Sequence, residues 1–353
     1  MSKLSRRNFL KRSALGFGAL SLAAILEACG IELVPPLPTA AVLPSAAPAT
    51  DTPAYTPITI PDPTDTPPAL TFTVVPPTST PVIPPDMVVT TGGEPEQLVR
   101  QAIAALGGIQ KFVPASANVV IKPNICVAYR TYEYAATTNP WVVGTLVKLC
   151  FEAGAASVKV MDFPFNGSQE QAYKTSGIRE QVEAAGGEMA YMLAYNFIKT
   201  AVPNAESLKE TSIYSDILKA DVLINVPIAK THSSSRLTLG MKNLMGVVLD
   251  RSALHANLGQ CIADLNSIVR PQLTVIDAVR ILTANGPTGG SLSYVKKLDT
   301  LIASPDVVAA DSFAASLFGM KPADLAYIVA GAAMGLGRSD LENLKIDQIS
   351  LTS

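Results

Sequence analysis

The chain of 353 residues contains only two histidines, His232 and His255, and the first follows a lysine in Lys230-Thr231-His232. Lys242-Asn243 lies soon after. A lysine ammonium binds carboxylate or phosphate as a point charge, and an imidazole beside it can carry a proton near neutral pH. Lys122 and Asn124, in the run VVIKPN, offer a second cation with an amide partner, and Asp162 and Asp277 each close an apolar run. Together these types describe capture of a small anionic molecule by Lys122, Asn124, Lys242 and Asn243. Lys230 and His232 form the catalytic pair, with Asp162 or Asp277 orienting the histidine or taking a cation. Each residue also has a plainer explanation: a lysine after a strand is solvated, an aspartate there caps the next helix, and a lone histidine is structural.

The loop Asn285-Gly286-Pro287-Thr288-Gly289-Gly290 could bring backbone N–H groups close to an anion through Gly286 and Gly289. An irregular turn explains it equally well, and its spacing is neither that of a dinucleotide fingerprint nor that of a phosphate-binding Walker loop. No His-Glu-x-x-His or paired-cysteine spacing accompanies the histidines. A hard cation at Asp162 and Asp277 has no supporting spacing either. Beyond Cys29, the cysteines Cys126, Cys150 and Cys261 are too dispersed for a ferredoxin-type iron-sulfur cluster. Their pairing is not encoded in the spacing. The cofactor is therefore unassigned.

The elements that must position these residues alternate. Strands are predicted over 117–122, 157–161, near 189–193, 222–226, 273–276, 298–303 and 345–351. Helices are predicted over 95–106, 139–153, 178–185, 237–248, 257–268, 305–317 and 322–334. The segment 196–215 reads as strand and loop. Alternation of this kind predicts an α/β fold with a largely parallel central sheet and helices on both faces. In such sheets ligands bind beyond the carboxyl ends of the strands, so the polar residues are expected at four strand tips facing one crevice.

The amino-terminal part has a different composition. Residues 1–29 hold five Lys/Arg and one acid, which leaves 27−5=22 bases against 29−1=28 acids in the remainder, a net of −6. That balance provides no basic footprint for nucleic acid. Ser5-Arg6-Arg7-Asn8-Phe9-Leu10-Lys11, followed by an apolar run too short to span a membrane, resembles a twin-arginine export signal. Leu26-Glu27-Ala28-Cys29 resembles a lipobox, which implies lipidation at Cys29 and a membrane tether through that lipid. Sixteen of the 27 prolines fall between Pro35 and Pro85. The division is thus a signal (1–29), a disordered Pro/Thr/Ala-rich tether (30–87) and one α/β domain (88–353).

The runs VVIKPN, ATTNP, SVKVMD, ADVLINVPIAKTH, GMKNLMGVV, LTVIDA, NGPTGG and LIASPDVVAADSFAASLFG resemble, in order and spacing, the family called domain of unknown function 362. Lys122, Asn124, Lys230, His232, Lys242, Asn243, Asp277 and Asp311 occupy its motif positions, and Asp311 thereby joins the carboxylates that could meet a metal. The resemblance implies a single α/β domain and transfers no reaction. Two readings follow: an exported enzyme acting on a small anion, or a non-catalytic binding or accessory lipoprotein with a protein partner in a membrane complex.

Overall fold

Short runs of β-branched and aliphatic residues, punctuated by Gly, Pro and Asn, build a sheet covered on both faces. The computed structural model describes residues 84–351. The arginine pair, Cys29 and nearly all of the expected tether therefore lie outside the described residues. The described chain begins with β1 (Met87–Thr91), α1 (Pro95–Ala105), β2 (Asn118–Pro123), α2 (Pro140–Glu152) and β3 (Ser157–Val160). It continues with α3 (Gln169–Thr175), α4 (Ile178–Ala184), β4 (Glu188–Met189), β5 (Phe197–Ala201), β6 (Glu210–Tyr214) and α5 (Ser215–Lys219). Next come β7 (Val222–Val226), β8 (Ile228–His232), β9 (Arg236–Thr238), α6 (Gly240–Asn243) and α7 (Leu258–Ile268). The last elements are β10 (Leu273–Leu282), β11 (Val295–Ser304), α8 (Val307–Ser316), α9 (Ala326–Ala333) and β12 (Ile346–Ser350).

The main sheet runs β12-β1-β11-β10-β7-β2-β3-β4, with β8 beside β10 and β9 paired to β8. It is an α/β fold with a mixed, mostly parallel sheet. β11 runs antiparallel to both β1 and β10, and β9 antiparallel to β8. The other pairings in this sheet are parallel. β5 and β6 form a separate antiparallel pair. Alternation along each strand feeds two cores. Val119, Ile121, Ile224 and Val275 point to the face packed by α1, α2 and α4, while Val120, Leu223 and Ile276 point to the face packed by α7, α8 and α9. Caps fix the helix starts: Asn139 Oδ1 accepts from Trp141 N–H at 3.0 Å, and Asp306 Oδ1 from Ala309 N–H at 2.9 Å.

Four expectations are corrected. The predicted helix over 237–248 is only the short α6 followed by a 3-10 turn. Its first residues instead pair with β8, and Gly240 is packed against Asp311 and Val307. β10 does not stop at Ile276, because pairing to β8 and β11 keeps it extended to Leu282 and places Asp277 in mid-strand. Lys230 and His232 do not stand at the tip of β7; they lie on a further strand, β8, which begins after Pro227. β1 and α3 were not expected, and β1 opens the domain one residue before the predicted boundary.

Candidate functional site

The carboxyl ends of β2 and β3, together with β8 and the turn after α6, converge on a cavity of about 540 Å³. Lys122, Asn124, Asp162, Lys230, His232, Lys242 and Asn243 all line it, so seven residues singled out in the sequence meet in one place. Lys122, Lys230 and Lys242 are 1%, 1% and 8% exposed. Buried cations are costly unless paired, so the partners of each ammonium reveal its part.

Lys122 is saturated. Its Nζ lies 2.8 Å from Asp162 Oδ1 and donates to Pro123 O at 2.7 Å and Asn243 Oδ1 at 3.0 Å. Lys230 Nζ donates to Asn124 Oδ1 at 2.8 Å and Ala136 O at 2.6 Å. Because an ammonium can only donate, both amide oxygens are fixed, and Asn124 Nδ2 then donates to Asn243 Oδ1 at 2.9 Å. Asn243 Nδ2 in turn donates to Asn225 Oδ1 at 2.9 Å. The two asparagines thus wire β2, β7 and β8 into one polar network. Lys242 differs: its Nζ has only the Met245 sulfur, at 3.6 Å, as a hydrogen-bond partner among the described residues. Burial, with Lys230 and Arg251 nearby, pushes the Lys242 ammonium down to about 8. Burial also pushes Lys122 down to about 8, against the upward pull of Asp162.

Two further polar groups of the cavity lining, Arg251 Nε and Thr238 Oγ1, are buried without a hydrogen-bond partner. With Lys242 they make three donors held out of water and not satisfied by protein oxygen. Lys122, Lys230, Lys242 and Arg251 face Asp162 alone among acidic lining residues, so the cavity is cationic. Phe163, Phe165 and Tyr129 supply apolar walls.

The histidines hold opposite tautomers. Ser234 N–H donates to His232 Nδ1 at 3.1 Å, so the neutral ring carries its proton on Nε2. His255 Nδ1 lies 2.9 Å from Arg251 O, which can only accept, so Nδ1 carries a proton and the neutral ring has its lone pair on Nε2. Burial and the Lys242 and Lys230 charges push His232 down to about 3. At neutral pH it is therefore a hydrogen-bond donor without charge.

Other expected site residues lie elsewhere. Asp277 is buried, and its carboxylate accepts from Asn139 N–H at 2.7 Å and Val279 N–H at 3.0 Å. Asp311 accepts from Gly240 N–H at 2.6 Å and Met241 N–H at 2.8 Å, which anchors α6. Of the three candidate metal carboxylates only Asp162 lines the cavity, and its oxygens are engaged by Lys122, Ile125 N–H and Phe163 N–H. No group of three or more His, Cys, Asp or Glu able to hold a metal ion occurs among the described residues.

Nor do Gly286 and Gly289 offer free N–H groups. Gly286 N–H donates to Thr231 Oγ1 at 3.2 Å and Gly289 N–H to Asn285 O at 3.0 Å. Gly286 is required because any Cβ would run into the Thr231 backbone, and the loop lends Pro287 and Thr288 to the wall instead. Sequence reasoning missed Arg251 and Gly246. A Cβ on Gly246 would overlap the Lys122 ammonium and Asp162 carboxylate, so only glycine fits over that pair. Cys126, Cys150 and Cys261 are free and buried.

The chain is 26% identical over 253 residues to a thylakoid-associated protein of Synechocystis, covering 69% of this chain and 76% of the relative. Among solved structures, the lactate racemase apoprotein of Thermoanaerobacterium thermosaccharolyticum aligns with a TM-score of 0.41 at 12% identity, over 60% of this chain and 53% of that one. A Thermotoga maritima protein aligns with a TM-score of 0.40 at 12% identity, over 64% of this chain and 60% of its own. This chain thus spans less than two thirds of either solved structure. The profile of a domain of unknown function, DUF362, matches residues 119–316, more than half of the chain and the stretch that supplies every cavity-lining residue named above, so the protein belongs to the DUF362 family.

Proposed function

We propose that this chain is an exported, membrane-tethered protein whose α/β domain binds a small carboxylate or phosphate in the lysine-lined cavity. The observation that carries the binding reading is Lys242, whose buried Nζ has no oxygen partner among the described residues, in a cavity lined also by Lys122, Lys230 and Arg251. An anion beside Lys242 Nζ would give that ammonium the oxygen partner it lacks and offset the cost of holding it out of water. Lys122 and Lys230 serve as fixed cations and supply field rather than direct capture. His232 contributes a neutral N–H donor, and His255 a free ring nitrogen on the same wall. The arginine-pair motif and Cys29 support export and lipid anchoring.

Thermal unfolding of the full chain with a panel of small carboxylates and phosphates tests the binding. At one hundred times Kd a ligand stabilises by about 2.7 kcal/mol, a shift of several degrees. Lys242→Met should abolish that shift. A wild-type protein unmoved by every anion, or a variant that responds equally, contradicts the reading.

A second reading, a non-catalytic accessory protein held at a membrane, is favoured by the predicted tether and by a relative that is named for its thylakoid association. Copurification of a stable membrane partner, with no turnover of any bound anion, would support it over an enzyme.

A further inference from the structure

We propose that Lys242 is an amine nucleophile that forms an imine with a carbonyl-bearing anion, for which a 2-oxo acid is the simplest case. This rests on the anion-binding reading above and adds to it the class of compound taken. Three lysines reach the cavity, and only one is chemically free. Lys122 holds a carboxylate and two further oxygens, and Lys230 holds two oxygens, so both nitrogens are tied to protein acceptors. Lys242 is 8% exposed with a thioether as its acceptor, a contact that does not hold the proton on nitrogen. Burial and the neighbouring cations Lys230 and Arg251 lower its affinity for a proton, so part of the population is free amine at neutral pH.

The nucleophile is also well placed. Asp311 accepts the N–H of Gly240 and of Met241 and so fixes the backbone from which Lys242 projects. Arg251 lies in the same lining, close enough for its charge to act on Lys242, and so favours a carboxylate beside the amine. The cavity of about 540 Å³ has room for an acid of this size beside the amine.

The step balances without a redox partner. The Lys242 nitrogen lone pair adds to the carbonyl carbon, forming C–N as the carbonyl π bond opens, and the oxygen takes a proton to give a carbinolamine. The C–O bond then breaks and C=N forms. Water leaves carrying the carbonyl oxygen and the two amine hydrogens. His255 Nε2, on the cavity wall, takes the proton from the adding amine and returns it to the oxygen that leaves as water, while the neutral His232 Nε2–H hydrogen-bonds the carbonyl oxygen without giving up its proton.

The test uses the full-length chain with 2-oxobutyrate and, as the analogue without a carbonyl, 2-hydroxybutyrate. Each is measured by thermal shift, and 2-oxobutyrate is also trapped with cyanoborohydride and mapped by peptide mass spectrometry. The expected result is one N-(1-carboxypropyl) group per chain, on Lys242, absent from Lys242→Arg. Stabilisation by 2-hydroxybutyrate with no adduct at Lys242, or adducts on exposed lysines only, overturns the imine and leaves the anion site standing. Absence of both stabilisation and labelling overturns both. Mapping on the wild-type chain decides the matter even if the arginine variant does not fold.

Discussion

Lys122 Nζ sits 2.8 Å from Asp162 Oδ1, and both side chains are closed to solvent. The pair is a post on which the site is built rather than a contact for ligand, because all three ammonium protons are already engaged. Removing one partner strands a buried charge. Asp162→Asn should lower stability by about 3–5 kcal/mol, and the double change Lys122→Met with Asp162→Asn should cost less than the sum of the single changes. Urea unfolding of the three variants gives the coupling, and strict additivity would contradict the pairing.

Lys242 should show the opposite behaviour in the absence of ligand. Its folded pKa, about 8, lies below the ordinary 10.5, so the unfolded chain binds more protons between those values. Its contribution to stability therefore rises with pH across about 8 to 10.5, and below that window the buried charge is a cost. Lys242→Met should stabilise the free protein at pH 7 by up to about 3 kcal/mol and flatten that alkaline rise. A variant less stable than wild type at pH 7 would show that the ammonium has a partner.

For His232 the folded pKa of about 3 lies below the ordinary 6.5, so folding excludes a proton between those values. Stability should fall as pH drops from 6.5 towards 3, and His232→Gln should reduce that fall. Ring nitrogen NMR should show His232 neutral and Nε2-protonated at pH 5 to 7. Titration near 6.5 would remove its assignment as a neutral donor.

The export proposal makes its own prediction. Arg6→Lys with Arg7→Lys should retain the chain in the cytoplasm, and Cys29→Ala should release it from the membrane fraction while leaving export intact. Fractionation with antibody detection reads both outcomes. Unchanged membrane association in Cys29→Ala would remove lipidation from the account.

Local pattern and tertiary context divide what the sequence discloses. The run VLINV is β-branched or aliphatic at nearly every position and is the strand expected, and 257–268 carries the periodicity of the helix found. In LTLGMKNLMGVV the same apolar spacing misleads, because pairing of Leu237 to Thr231 and the packing of Gly240 against Asp311 override helical propensity. Asp277 reads as a strand end because a carboxylate rarely sits in mid-strand, yet two backbone N–H groups satisfy it there. The direction of β11 was not legible, since a strand's own residues do not encode which neighbour it joins. The lysines, asparagines and His232 of the cavity could be named because their types are conspicuous. Arg251, thirteen residues beyond Thr238, is brought to the same cavity only by the turn after α6.

The most direct test of the central claim is a crystal structure of the protein grown with the anion that stabilises it most. The account predicts an anion oxygen about 2.7–2.9 Å from Lys242 Nζ, within the cavity lined by Arg251 and Thr238. An anion bound elsewhere, with Lys242 still against Met245 alone, would contradict it.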